Sequence, residues 1–425
     1  MQTKFDEATE MKTRLILFII ILFTVFFTED TVMYGTNANI LCVKIPQVCF
    51  CCFSLFLPMY ALAKRKKFEP IHILALLSIF LCTGATLAIR NDFRNGYVFR
   101  IAVTLFAFFA VEFIDIKTFA HVFNRVIFAL AVISLACFVL EVFDHDFFSF
   151  APRLTNIGSV KFRNLFLYVQ YDGPNPPRNY GIFREPGVYQ VFLIIALIFE
   201  LYFYEKINFI RICVFSIAVF TTLSTTGIIA YGFWLLLFLS KLDMLSNKTK
   251  SLLIIAGSIL ILLACILMSA KLDLFINKVF GKMTTKNESY WAREASVFVN
   301  LKLWLRYPVF GTGLSNVLPY YEEETLKMYG IAMTANTNTL LIPFAAHGTL
   351  YGLLWLIAWF KGTCGLGKST LEKALVGAVL LCLCMGESLI FSPFGNLLMM
   401  YGLLSKRKGK HRDRGVCLNE TYILY

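Results

Sequence analysis

The stretch Arg178-Asn179-Tyr180-Gly181-Ile182-Phe183-Arg184-Glu185-Pro186-Gly187 runs straight into Val188–Tyr204 (VYQVFLIIALIFELYFY). A polar segment with two arginines gives way to one that is almost wholly apolar. A spanning helix needs roughly 20 mostly apolar residues, and such segments recur from one end of the chain to the other. They are Leu15–Phe27, Ile45–Ala63, Ile71–Ile89, Tyr97–Ile116, Val122–Phe143, Val188–Tyr204, Ile207–Thr222, Gly227–Ser240, Leu252–Ala270, Thr339–Phe360, Ala374–Phe391 and Pro393–Leu404. The last two are separate, because joined they would reach about 46 Å at 1.5 Å per residue. The hydrocarbon core is only about 30 Å thick, and Ser392-Pro393 with Gly395 offers the break. The expected fold is an all-α polytopic membrane protein of about twelve spans, residues 1–425 forming a single membrane-embedded domain.

Composition agrees. Of 425 residues, 58% are hydrophobic and only 16% charged, whereas soluble domains carry about a quarter charged residues. The formal charge of +13 does not indicate nucleic acid, because the basic residues lie in short runs between apolar segments. Six of the twelve cysteines, Cys82, Cys137, Cys213, Cys265, Cys382 and Cys384, lie inside apolar helices, where Cys acts as a small hydrophobe. No metal and no cofactor is expected. Thr28-Glu29-Asp30 is a poor cleavage site, so the first apolar segment reads as an uncleaved helix.

The basic residues set the orientation. With the N-terminus inside, 23 of the 40 lysines and arginines fall in cytoplasmic segments, against Lys44, Arg90, Arg94 and Arg100 in short outer ones. This bias expects both termini in the cytoplasm. Two long loops, 144–187 and 271–338, then lie outside, and their aromatic content expects folded caps rather than disorder.

Chemistry-bearing residues gather in those loops. Pro186 suits the first turn of a helix, and a helix N-terminus beside Arg184 makes an anion site; headgroup anchoring by Arg184 and Arg178 is the plainer reading. In the second loop, Trp291, Phe298, Leu301 and Leu305 share one helical face, stopped by Pro308, with Arg293 about a third of a turn away. Gly311-Thr312-Gly313 is read either as a close approach to a ligand or as a turn. His347 and Glu387 are ionisable groups at apolar positions. Ser224-Thr225-Thr226-Gly227 reads as a cap.

In order and topology, residues 178–352 resemble the bacterial O-antigen polymerase and O-antigen ligase superfamily. The resemblance is carried by Arg184-Glu185-Pro186-Gly187, by Arg293 followed by Trp304 and Tyr307-Pro308-Val309-Phe310-Gly311-Thr312-Gly313, and by Asn338-Thr339 with Gly348 and Gly352. It implies a C-type glycosyltransferase architecture with periplasmic loops, in the bacterial inner membrane. It also implies a metal-independent reaction in which a sugar hydroxyl attacks a glycan carried on undecaprenyl diphosphate. Arg184 and Arg293 would hold the diphosphate, and Glu185, Glu387 or His347 could accept the hydroxyl proton. Arg178, Arg163, Arg306, Asn338 and Glu387 complete the expected substrate contacts. Expected partners are the lipid-linked glycan and membrane lipid, with a chain-length regulator and a flippase alongside. Asn338 stands where the ligases have histidine, which favours polymerase over ligase. Arg-x10-Gly repeats of some polymerases are absent, since Arg163 leads to Pro174 and Arg293 to Trp304. A polysaccharide flippase or transporter is the alternative of another class.

Overall fold

The computed structural model describes residues 14–28, 30–35, 39–94, 96–155, 160–173, 177–241 and 288–404. The expected span at 252–270, Cys265, the loop opening at 271–287, Lys4, Lys12, Lys248, Lys250 and the basic run at 406–414 lie outside the described residues. The first helices are α1 Arg14–Phe26, α2 Ile40–Ala63, α3 Pro70–Arg90, α4 Gly96–Phe113 and α5 Ile116–Phe143. After a small sheet come α6 Pro186–Phe203, α7 Phe209–Thr221 and α8 Thr225–Lys241. The rest are α9 Glu288–Arg306, α10 Val317–Tyr329, α11 Ile342–His347, α12 Thr349–Leu366, α13 Thr370–Gly386 and α14 Pro393–Leu404. Helices α2 to α6 are each long and apolar enough to cross a membrane, and α1, α7, α8 and α14 are shorter apolar helices. The chain is a helical membrane protein.

Helix starts are written locally. Asp115 accepts from the Thr118 amide at 2.9 Å, Asn208 from Ile210 and Arg211 at 3.0 and 3.2 Å, and Ser369 from Glu372 at 3.1 Å. These side chains satisfy first-turn amides that have no partner within the helix. Pro70 and Pro186 open α3 and α6, where a missing N–H costs nothing.

Helix α6 is the centre of the bundle. It is buried along almost its whole length, whereas only a small share of α2 and α3 is buried. Phe192 stacks on Phe183 and Phe394 at 4.5 and 4.3 Å, and Phe394 on Phe123 at 5.2 Å. Polar partners sit at the two ends of the helices. One end holds His72 with Glu112 at 2.5 Å, Arg211 with Glu200 at 3.4 Å and Lys241 with Glu372 at 3.5 Å. The other holds Arg90 against the Gly311 carbonyl, Arg100 against that of Phe391, and Arg184 against Asp30.

Three features depart from the sequence expectation. The span expected at Thr339–Phe360 is broken into α11 and α12 at Gly348, whose φ is +83°. A Cβ at Gly348 would overlap the Val309 carbonyl, and one at Gly311 (φ +62°) the Ala346 carbonyl. The two backbones therefore interlock: Thr312 and Gly313 donate to Ala345 and Ala346 at 2.8 and 3.0 Å, and Thr349 to Pro308 at 2.7 Å. In Gly311-Thr312-Gly313, Gly311 makes a close approach to the Ala346–His347 backbone. Secondly, the break before α14 covers the whole of 387–392, and Gly395 admits the Leu389 carbonyl there. Thirdly, the first loop is not all-α. It carries a three-stranded antiparallel sheet, β1 Arg153–Thr155, β2 Lys161–Asn164 and β3 Val169–Tyr171, with Arg163 opposite Gln170.

In the second loop, α9 buries Ala295, Val299 and Leu303 against Tyr321, Ala345 and Ala346, and leaves Phe298 and Leu305 exposed. The small face packs and the large apolar face looks outward, as an interfacial helix does.

Gly348→Ala and Gly311→Ala should each destabilise the purified protein by on the order of 1–3 kcal/mol, read as a lowered thermal transition. Gly84→Ala, which meets open space, should leave it unchanged or slightly raised. Equal behaviour of all three would contradict the interlock.

Candidate functional site

The segment entering α6 is pinned through its backbone. Val32 donates to Ile182 at 3.1 Å, Thr31 bridges Phe183, and the Arg184 amide donates to Asp30 at 2.8 Å. Held in this way, the Arg184 guanidinium meets Glu185 at 2.9 Å and Asp30 at 3.5 Å. Glu185 is the extended residue just before α6, and its side chain does not cap the helix. A different carboxylate lies against the first turn of α6. The Glu387 side chain lies so close to Gly187 that any Cβ there would overlap it. Glu387 is buried. Its backbone is held by Thr339, whose hydroxyl donates to the Glu387 carbonyl at 2.5 Å and accepts from Leu389 at 2.8 Å.

Two more arginines reach the same end. Arg293, on α9, donates to the Thr225 hydroxyl at the start of α8 at 3.0 Å. Arg178 donates to the Thr222 and Leu223 carbonyls at 3.0 and 3.1 Å. The groups are near enough to act on one another. Glu387 feels Glu185, Arg184, Arg293 and Asp30, and Arg178 feels Arg293. Burial pulls Arg178 and Arg293 below the usual guanidinium range, opposed by the nearby acids. Burial acts on Arg184 likewise, but Asp30, Glu185 and Glu387 outweigh it and raise its pKa overall. All three remain cationic.

A cavity of about 260 Å³ opens beside this cluster, walled by Asp30, Arg184, Asn336, Ser388, Phe391 and Ser392. The Ser388 hydroxyl is buried and has no hydrogen-bond partner among the described residues. Chemically, the arrangement can receive an anion with several oxygens.

Of the residues singled out from the sequence, the fold gathers Arg184, Glu185, Arg293, Arg178 and Glu387. It keeps the others apart. Arg163 is buried in the sheet with Asp146 and Asp172 at 3.2 and 3.4 Å, and Arg306 joins Glu324 at 3.3 Å across the cap helices. Asn338 is a buried turn residue that accepts from Leu340 and Leu341 at 3.1 and 2.9 Å. His347 walls a separate cavity of about 20 Å³ with Tyr97, Arg100 and Tyr351. Its ring lies 4.6 Å from Tyr351 and 6.1 Å from Tyr97. Sequence reasoning missed Asp30 and Thr225, the partners of the two arginines. An acidic residue straight after the first apolar helix was the available signal for Asp30. Thr225, inside a helix-start motif, carried none.

Neither the protein-family models nor the curated proteins give a match to this chain.

Inorganic diphosphate should raise the thermal transition of the purified protein, and Arg184→Ala or Arg293→Ala should remove most of that shift. Gly187→Ala should leave the fold intact, because the clashing Glu387 carboxylate is the far end of a flexible side chain, yet alter the shift. Identical shifts in all three variants and the parent would count against a shared site.

Proposed function

We propose that the chain is a membrane glycosyltransferase: a polymerase that joins undecaprenyl-diphosphate-linked oligosaccharide repeat units into O-antigen or capsular polysaccharide. It works at the periplasmic face of the bacterial inner membrane, with twelve spans and both termini in the cytoplasm. The observation that carries the reading is the convergence of Arg178, Arg184 and Arg293 with Glu185 and Glu387 at the α6 N-terminus. The motif resemblance around Arg184 and Arg293 agrees with it.

The chemistry follows from charge. An acceptor hydroxyl forms a bond to the anomeric carbon as the bond to the diphosphate oxygen breaks. The departing lipid diphosphate takes the electron pair, and its growing negative charge is what fixed guanidinium groups stabilise. This role needs no metal. The hydroxyl proton passes to a carboxylate, and Glu185 and Glu387 both adjoin the cluster, whereas His347 belongs to the other cavity. Asn338, occupied as a turn residue, speaks against the ligase alternative. A conduit for flipping would need a polar path along the bundle axis, and there Phe123, Phe192 and Phe394 are stacked instead.

A deletion strain tests this. The parent gene should restore a ladder of chain lengths, while the deletion should leave lipid A core capped by one repeat unit. Arg184→Ala and Arg293→Ala should each cut polymerisation about 10²–10³-fold at unchanged protein level, the scale of losing one charge-stabilising donor. Normal chain lengths in both would remove the diphosphate clamp. A bare core with polymer held on its carrier would indicate the ligase.

A further inference from the structure

Gln190 stands one turn into α6 and is wholly buried, yet neither atom of its side-chain amide has a hydrogen-bond partner among the described residues. An amide withdrawn from water and left unmet is costly. Gly187 lies three residues earlier on the same face of the helix. A long helical side chain leans back over the preceding turn, which here carries Gly187 and the Glu387 side chain lying against it. Two further glycine contacts locate the same spot from α8. A Cβ at Gly227 would come within 2.9 Å of Gln190 Oε1, and one at Gly386, beside Glu387, would overlap Thr226. Amide and carboxyl group therefore both border the start of α8.

We propose that Gln190 is a positioning residue that makes Glu387 the proton acceptor of the transfer, its amide turning to meet the carboxyl group in either protonation state. The inference rests on the polymerase reading and chooses Glu387 over Glu185. A base that gains and loses a proton at every turnover presents two faces to its neighbour. The Gln190 NH2 group donates to the carboxylate, and Oε1 accepts from the carboxylic acid. The terminal torsion of glutamine is broad, so the exchange needs no backbone movement. In the step itself, the acceptor oxygen bonds to the anomeric carbon as its O–H bond breaks, and the proton passes to Glu387. The diphosphate leaves with the electron pair. Glu387, now neutral, donates to Gln190 Oε1 until it returns the proton to water. Glu185 is placed differently, being exposed and engaged by Arg184 at 2.9 Å. The charged groups acting on Glu387 are Glu185, Arg184, Arg293 and Asp30, while the start of α8 brings only the hydroxyls of Thr225 and Thr226.

The test is an infrared-detected pH titration of the purified full chain, with the Glu387 carboxyl band identified by its loss in Glu387→Gln. Gln190→Met keeps the bulk and removes the amide. Hydrogen bonds to a charged group are about twice as strong as neutral ones, so the variant should move the Glu387 midpoint up by about 1 pH unit. The acid limb of the polymerisation rate, measured on lipid-linked repeat units, should move up equally. An unmoved midpoint overturns the proposal, and so does a moved midpoint with an unmoved limb. Should Gln190→Met not fold, the side-chain amide resonances of Gln190 in the parent protein decide. They should shift with pH at the Glu387 midpoint, and flat resonances overturn the contact. A parent protein that makes no polymer sinks the polymerase reading, while the titration still judges whether Gln190 holds Glu387.

Discussion

A carboxylate is not withdrawn from water without cations or donors to meet it, and the site turns on how that is arranged for Glu387. It is pressed onto the first turn of α6, within electrostatic reach of Arg184 and Arg293. The arrangement depends on Gly187 having no Cβ, since one extra methyl group would occupy the carboxylate's place. Because α6 is the buried axis of the bundle, its N-terminus cannot shift without disturbing the Phe183, Phe192 and Phe394 stack. The charge cluster is thus mounted on the most deeply buried of the long apolar helices, and fixed dipoles are the effective ones.

Arg293 reaches this point only because the second loop is locked down. The segment from Pro308 to Gly313 lies against the turn from Ala345 to Thr349, backbone on backbone. The indole of Trp304 donates to the Thr349 hydroxyl at 2.9 Å and packs on Phe344 at 4.8 Å. Gly352 makes room for the Phe344 ring. The glycines that resemble a family signature therefore act as joints: they bring α9, and with it Arg293, over the start of α8.

How much of this the sequence disclosed varies with the physics behind each feature. Apolar segment length exposed α2 through α8 within a few residues, because lipid leaves no partner for an unpaired backbone group and so forces whole helices. The break at Gly348 was hidden, since both flanks are equally apolar and a glycine inside a span is unremarkable. Three short strands in a loop were also invisible, as each has only three or four residues and too little alternation to register. Arg184 and Arg293 stood out as permanent charges in capping loops. Their meeting was implied only by the family resemblance, for Gly187 and Glu387 touch only through long-range packing. Asn338, Arg163 and Arg306 were equally polar in sequence, and the fold employs them in a turn and in ion pairs.

The central claim is that Arg293 and Glu387, from distant parts of the chain, are energetically one unit. A double-mutant cycle on the thermal stability of the purified protein tests it most directly, using Arg293→Gln, Glu387→Gln and the pair. The account predicts a non-additive term of about 0.5–3 kcal/mol, the double variant losing less than the sum of the singles. Additivity within about 0.3–0.5 kcal/mol, as found for independent sites, would contradict it.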